Sequence, residues 1–175
     1  MKNIILDFDN TMGVRGCDVD DGLALLYLLG NPERCRVLAA CTTYGNAGID
    51  VVDANTRALF EKLGLNIPVY RGAAGPGDTD TEAARFLAEA CAAAGRMVEV
   101  NTSGAYYACA EMFPAPGLLA AFRRAGVPCT VGCDSHDPVN VARDIERAYG
   151  LMYEAGYRSV TVPTATGDRR SITIE

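Results

Sequence analysis

Histidine is almost missing from this chain: one residue, His136, in 175, against 22 Asp+Glu and 16 Lys+Arg. A lone imidazole excludes any metal cage built from several histidines, and it disfavours zinc, whose sites draw on His and Cys ligands. Long apolar runs are missing too. None approaches the ~20 residues that a membrane-spanning helix needs, so no membrane partner is expected. There is no basic stripe. With a net charge of −6 and a pI near 4.8, the chain is unsuited to tracking a phosphate backbone, and no nucleic-acid partner is expected. Seven cysteines are present, but none forms a Cys-x-x-Cys pair, their number is odd, and the start Met1-Lys-Asn-Ile-Ile-Leu6 is no charged-then-apolar leader. These absences predict a reduced, cytoplasmic protein whose cysteines are small buried apolar residues. Repeats and low-complexity tracts are lacking. Gly13-x-x-Gly16 and the stretch from Gly72 to Gly77 have the spacing of neither a dinucleotide-binding nor a P-loop motif, and they read as loops.

What is present is alternation. Short apolar runs rich in β-branched residues, near 3–8, 36–43, 67–70, 97–102, 128–133 and 158–163, alternate with helical patterns, as βαβ units around a parallel sheet do. The expected fold class is α/β, three-layer, with a mainly parallel sheet of about six strands. The length suits a single domain over 1–175. Gly22 to Leu29 is apolar nearly all round and predicts a buried helix, whereas Ala142, Ile145, Tyr149 and Met152 repeat as one face of a helix. Thr79-Asp-Thr-Glu82 reads as a capping box opening a helix to about Ala94. Phe113-Pro-Ala-Pro-Gly117 is a break, and Ser171-Ile-Thr-Ile174 a short edge strand. An incomplete sheet edge near either terminus would favour pairing into a homo-oligomer.

The chemistry concentrates near the start. Asp7, Asp9, Asp18, Asp20 and Asp21 crowd behind the apolar run Ile4-Ile-Leu6. Like charges at the end of a buried strand repel and lose hydration, so such a cluster persists when a cation or a set of sugar hydroxyls compensates it. One Asp capping a helix that starts near Asp20 would account for a single carboxylate only. Hard oxygen ligands suit Ca²⁺ or another hard divalent cation, and a carboxylate beside the metal can take a proton from a bound water. Asp20 and Asp21, at a helix N-terminus, also gain from the helix dipole.

From Lys2 to about Gly95 the chain resembles the inosine/uridine-preferring nucleoside hydrolases. The resemblance is carried by Ile4-Ile-Leu-Asp-Phe-Asp9, Gly16-Cys-Asp-Val-Asp-Asp21, Leu23-Ala-Leu-Leu26, Leu29-Gly-Asn-Pro-Glu33 and Cys41-Thr-Thr-Tyr-Gly-Asn46. It implies hydrolysis of the N-glycosidic bond of a ribonucleoside, the small-molecule partner, through an oxocarbenium-like transition state with calcium polarising the attacking water. It also implies Asp9 as metal ligand and general base, Asp21 as metal ligand, Asp20 as acceptor for ribose hydroxyls, Asn46 near the ribose, and Asp7 just outside the ligands.

From about Arg96 onward the chain resembles the last part of the polymerase-and-histidinol-phosphatase (PHP) phosphoesterases, a histidinol-phosphatase-like group. Val98-Glu-Val-Asn-Thr-Ser-Gly104, Phe113-Pro-Ala-Pro116, Gly126-Val-Pro128, Thr130-Val-Gly-Cys-Asp-Ser-His136 and Tyr157-Arg-Ser-Val-Thr161 carry that likeness. It implies Asp134 and His136 as metal ligands, while the lone histidine leaves no room for that family's trinuclear site. His136-Asp137-Pro138 also echoes the late His-Asp-Pro of the nucleoside hydrolases, which implies a catalytic His136 and a metal-binding Asp137. Equally, Asp137 as N-cap with Pro138 at the first helical position explains the pair without chemistry. The chain therefore reads as a chimera of segments 1–95 and 96–175, with its seam in the helix from Thr81 to Ala94. Strand-end chemistry common to both halves would set Asp7, Asp9, Asn46, Asn101, Ser103, Asp134 and His136 around one crevice. The expected function is a metal-dependent nucleoside hydrolase. The alternatives are a PHP-type phosphoesterase and a non-catalytic metal- or ribose-binding protein.

Overall fold

The first apolar run forms strand β1, Lys2–Phe8, and beside it lie β2, Cys35–Thr42, and β3, Val69–Arg71. All three are parallel, in the order β1-β2-β3. Parallel neighbours need crossover connections, and these contain the helices α1, Asp20–Leu29, and α2, Ile49–Lys62. The computed structural model describes residues 1–107 and 110–175. The chain divides into two compact units, Met1–Phe86 and Leu87–Glu175, so the division falls within helix α3, Glu82–Ala93.

In the first unit Phe8, Leu25, Val37, Ala40 and Phe60 form the core between the sheet and α1 and α2. Each of these side chains except the small Ala40 contributes about 1.5–3 kcal/mol relative to exposure. Val69 joins that cluster, while Tyr70, on the opposite face of β3, stacks on Phe86 of α3 with centroids 4.1 Å apart. Helices thus cover both faces. The expectation of a buried α1 is corrected: only Gly22 and Leu25 are buried, and Leu23, Leu26 and Tyr27 are exposed, because the helix presents one side to the sheet. The start of α3 is corrected as well. The capping oxygen is Thr81 Oγ1, which accepts the Ala84 amide at 3.1 Å, rather than Thr79, since the helix begins only at Glu82.

The register of β1 against β2 is interrupted once. Ile4 pairs with Val37 but Ile5 pairs with Ala39, leaving Leu38 as an extra residue in β2. Beyond this bulge Thr42 faces the helix layer. It is buried, and its Oγ1 donates to Asp53 of α2 at 3.1 Å. Asp53 also accepts Nε and Nη2 of Arg57 at 2.8 and 3.1 Å, so a buried hydroxyl and a buried carboxylate satisfy each other.

The second unit has parallel strands β4, Val98–Asn101, and β5, Cys129–Gly132, with α4, Pro116–Arg124, between them. After α5, Ile145–Glu154, strands β6, Ser159–Pro163, and β7, Arg169–Thr173, form an antiparallel hairpin. The hairpin places the expected final strand at an edge. Val100, Leu119, Cys129, Ala148, Met152 and Val160 are the heart of one core cluster, and Ala88, Ala121, Phe122 and Val127 form another. The six described cysteines are unpaired; Cys41 and Cys129 are buried and the other four half-buried. Among the described residues no helix is long and apolar enough to cross a membrane.

Candidate functional site

Asp9 follows the last residue of β1, and the segment 43–46 follows the last residue of β2, so both meet at the carboxyl ends of adjacent parallel strands. Asp9 Oδ2 accepts the backbone amide of Asn46 at 2.8 Å and Oδ1 accepts Asn46 Nδ2 at 3.1 Å. From the other side Asp21, in the first turn of α1, accepts the Asp9 amide at 2.6 Å. Asp20 beside it accepts the Asp21 amide at 3.0 Å and remains exposed. The N-cap residue Val19 makes no side-chain cap bond, and Asp21 turns to the Asp9 amide rather than to the helix end. The structure therefore brings Asp9, Asp20, Asp21 and Asn46 together in the first unit.

Two contributors were not singled out by sequence reasoning. Gly45 lies so close to the carboxylate that a Cβ there would sit 2.1 Å from Asp9 Oδ2; only glycine admits this approach. Asn55 of α2 donates Nδ2 to the carbonyls of Asn10 and Met12 at 3.3 and 3.2 Å, tying the loop after β1 to the helix layer. Gly45 lies inside a recognisable motif, but its role depends on a tertiary approach. Asn55 sits in an ordinary amphipathic helix and gives no sequence signal.

The electrostatics are strained in one direction. Burial pushes the Asp21 carboxyl up to about 6, its bond from the Asp9 amide works against this, and the Asp9 side chain and the charges of Asp9 and Asp20 add to the rise. Asp7 is likewise held above the ordinary carboxylate range, first by desolvation, with the Phe8 amide opposing and the Asp9 charge adding. Asp7 nevertheless keeps an exposed surface, so water offsets part of that cost. Across the ladder Asp7 faces Cys41, whose thiol is pushed up to about 12 by burial and then by Asp7. That cysteine is inert as a thiolate nucleophile.

The remaining predicted residues belong to the second unit, also at strand ends. Asn101 closes β4, where its Oδ1 accepts the amide and hydroxyl of Ser103 at 2.9 and 2.6 Å. Asp134 and His136 follow β5. His136 Nδ1 lies 3.0 Å from the Asp134 carbonyl oxygen. Asp137 caps a short 3₁₀ turn, Pro138–Asn140, with Oδ1 accepting the Val139 amide at 2.9 Å and Pro138 in the first helical position. Among the described residues no three His, Cys, Asp or Glu side chains form a group able to hold a metal by themselves. A cation at Asp9 and Asp21 would therefore complete its shell with water, backbone or ligand oxygens, which Ca²⁺ with its 6–8 oxygen ligands readily does.

Carboxylates gathered where parallel strands end, beside a helix N-terminus, mark the first unit as an α/β protein of the class that works at strand ends. Residues 4–94, just over half of the chain, match the inosine-uridine preferring nucleoside hydrolase family. The chain belongs to that family. It is also similar to a probable histidinol-phosphatase of Deinococcus radiodurans, 31% identical over 112 residues, which cover 63% of this chain and 42% of that protein. A third similarity is to an uncharacterized protein in the ribF 3' region of Corynebacterium ammoniagenes, 37% identical over 81 residues, which cover 46% of this chain and 79% of that protein. The chain thus spans less than half the length of the histidinol-phosphatase relative.

Proposed function

We propose that this protein hydrolyses the N-glycosidic bond of ribonucleosides with a hard divalent cation, Ca²⁺ preferred, held by Asp9 and Asp21. The observation that carries the reading is the convergence of Asp21 on the Asp9 amide and of Asp9 on Asn46, in the segment matched by the family. The donor set is all oxygen, and the mutual repulsion of Asp9, Asp20 and Asp21 is what a cation would relieve. When bound, the cation supplies charge that makes an adjacent water more acidic. Asp9 is placed to take the proton from the attacking water. Asp20, exposed beside it, is free to accept hydroxyl protons of ribose, and Asn46 fixes the orientation of Asp9 through both carboxylate oxygens. In the reaction the bond from water oxygen to C1′ forms, the C1′–N bond breaks with its electron pair going to the base, the base takes up a proton from solvent, and free ribose and base leave.

The test is incubation of the whole chain with calcium and inosine, uridine or p-nitrophenyl riboside, beside p-nitrophenyl phosphate and histidinol phosphate, with ribose and phosphate both measured. Ribose release that falls about 10²–10⁴-fold in Asp9→Asn is the expected result. Phosphate release without ribose would assign the protein to the phosphoesterases. Silence on every substrate would leave a metal- or ribose-binding protein without catalysis.

A further inference from the structure

We propose that the second unit carries a binding site for a phosphate monoester, in the cleft at the amino-terminal ends of β5 and β6, formed by Arg123 and Arg158. The cleft holds about 240 Å³, and its lining includes these two arginines with Cys129, Tyr157, Ser159 and Thr161. Both guanidinium groups are fixed by neutral partners. Arg123 Nε donates to the Gly156 carbonyl at 2.8 Å, and the group lies 5.7 Å from the centre of the Tyr157 ring. Arg158 Nη1 donates to the carbonyls of Tyr157 and Tyr153 at 2.7 and 3.0 Å and stacks 3.9 Å over the Tyr153 ring. These bonds occupy one nitrogen of each fork and leave other N–H donors for a ligand.

The charge of the pair in this cleft is not neutralised by a carboxylate. Arg34, Arg57, Arg71, Arg85 and Arg147 each have a carboxylate partner. Among the described residues Arg123 and Arg158 have none within ion-pair distance, although the chain carries six more acidic than basic side chains. Two uncompensated guanidinium groups on one concave surface repel each other unless an oxyanion joins them. Their planar forks match the oxygens of a phosphate group better than an ammonium would. The Ser159 and Thr161 hydroxyls line the cleft and add donors. The Tyr157 ring supplies an apolar wall, its own hydroxyl being spent on the Val127 carbonyl at 3.0 Å. The volume exceeds that of a bare phosphate ion and leaves room for a small organic group attached to it. Asp134 and His136 lie beyond the opposite, carboxyl end of β5, so the cleft binds rather than reacts.

The test follows the guanidinium Nε–H signals of Arg123 and Arg158 by NMR in the wild-type chain at fixed ionic strength. The probes are inorganic phosphate, ribose 5-phosphate and ribose. Saturable shifts of both signals with the two phosphates but not with ribose are expected. R123Q or R158Q should weaken binding about tenfold or more, as loss of a charge-assisted hydrogen bond does, while R124Q, on the same helix but outside the cleft, should not. D9N should bind phosphate as the wild type does, which separates this site from the proposed catalytic one. Absence of saturable shifts in the wild type would overturn the proposal whether or not the variants fold. So would equal weakening in R124Q, or a single-stranded oligonucleotide displacing the monoester at lower concentration.

Discussion

Replacing Asp21 by Asn should make the metal-free protein more stable, although it removes a group placed at the centre of the site. Burial together with Asp9 and Asp20 raises the Asp21 carboxyl from 3.8 to about 6. Between those values the native state holds a proton that the unfolded state has released, so stability falls as pH rises through that window. The penalty is complete above about pH 6 and absent below about 3.8. A rise of two units corresponds to about 3 kcal/mol. Water reaching the half-buried carboxyl screens part of this and leaves about 1–2 kcal/mol. An asparagine carbonyl can still accept the Asp9 amide, but the side chain cannot ionise. In EDTA at pH 7.5, Asp21→Asn is therefore expected to raise the Tm by about 2–8 °C, with the gain vanishing at pH 4. A variant that melts at or below wild type at pH 7.5, or that keeps its full advantage at pH 4, would show that burial of Asp21 does not cost stability.

Calcium at a hundredfold excess over Kd should stabilise the wild type by about 2.7 kcal/mol, read as a Tm rise, and should leave Asp21→Ala unmoved; equal behaviour of the two chains would remove the metal from Asp21. Gly45→Ala forces a methyl group against Asp9 Oδ2 and should cost about 1–3 kcal/mol in urea melts, and it should weaken the calcium response by shifting Asp9. Asp137→Ala removes the acceptor of the Val139 amide and should cost about 0.5–1 kcal/mol. Asp137→Asn keeps that acceptor and should melt as wild type does, whereas a shared loss in both variants of the calcium-induced Tm rise would mean that Asp137 also serves a cation.

The strands were legible because their signal is local. Ile4-Ile-Leu6, Val98-Glu-Val100 and Ser159-Val-Thr-Val162 are β-branched runs bounded by breakers, and each lies inside an observed strand. Observed boundaries differ from expected ones by a residue or two because the last ladder bond depends on the neighbouring strand. Exposure was harder to read. Leu23, Leu26 and Tyr27 have the composition of a buried helix, and nothing in their own sequence says that only one side of α1 meets the sheet. The cap of α3 moved from Thr79 to Thr81 for a similar reason, since two threonines compete and the chain path out of β3 decides between them. At the site, the acids were legible as a crowd, but the bonds among them were not. That Asp21 turns to the Asp9 amide, and that Asn46 grips Asp9 with both backbone and side chain, depends on how β1, β2 and α1 end in space.

The extra residue at Leu38 sets the phase of β2. Upstream of it, Val37 is turned to the core by its pairing with Ile4. Downstream, the same strand must turn Thr42 to Asp53 and deliver 43–46 to Asp9. A strictly alternating strand would meet only one of these demands, because a one-residue slip exchanges its two faces. β2 thus works as two short rulers with separate zero points, one calibrated on the packing of Val37 and the other on the reach of Asn46. Insertions or deletions upstream of Leu38 would be absorbed differently from those downstream. Deleting Leu38 itself would pair Val37 and Ala39 one to one with Ile4 and Ile5, so the bulge would be lost while Thr42 and the loop that holds Asp9 kept their phase.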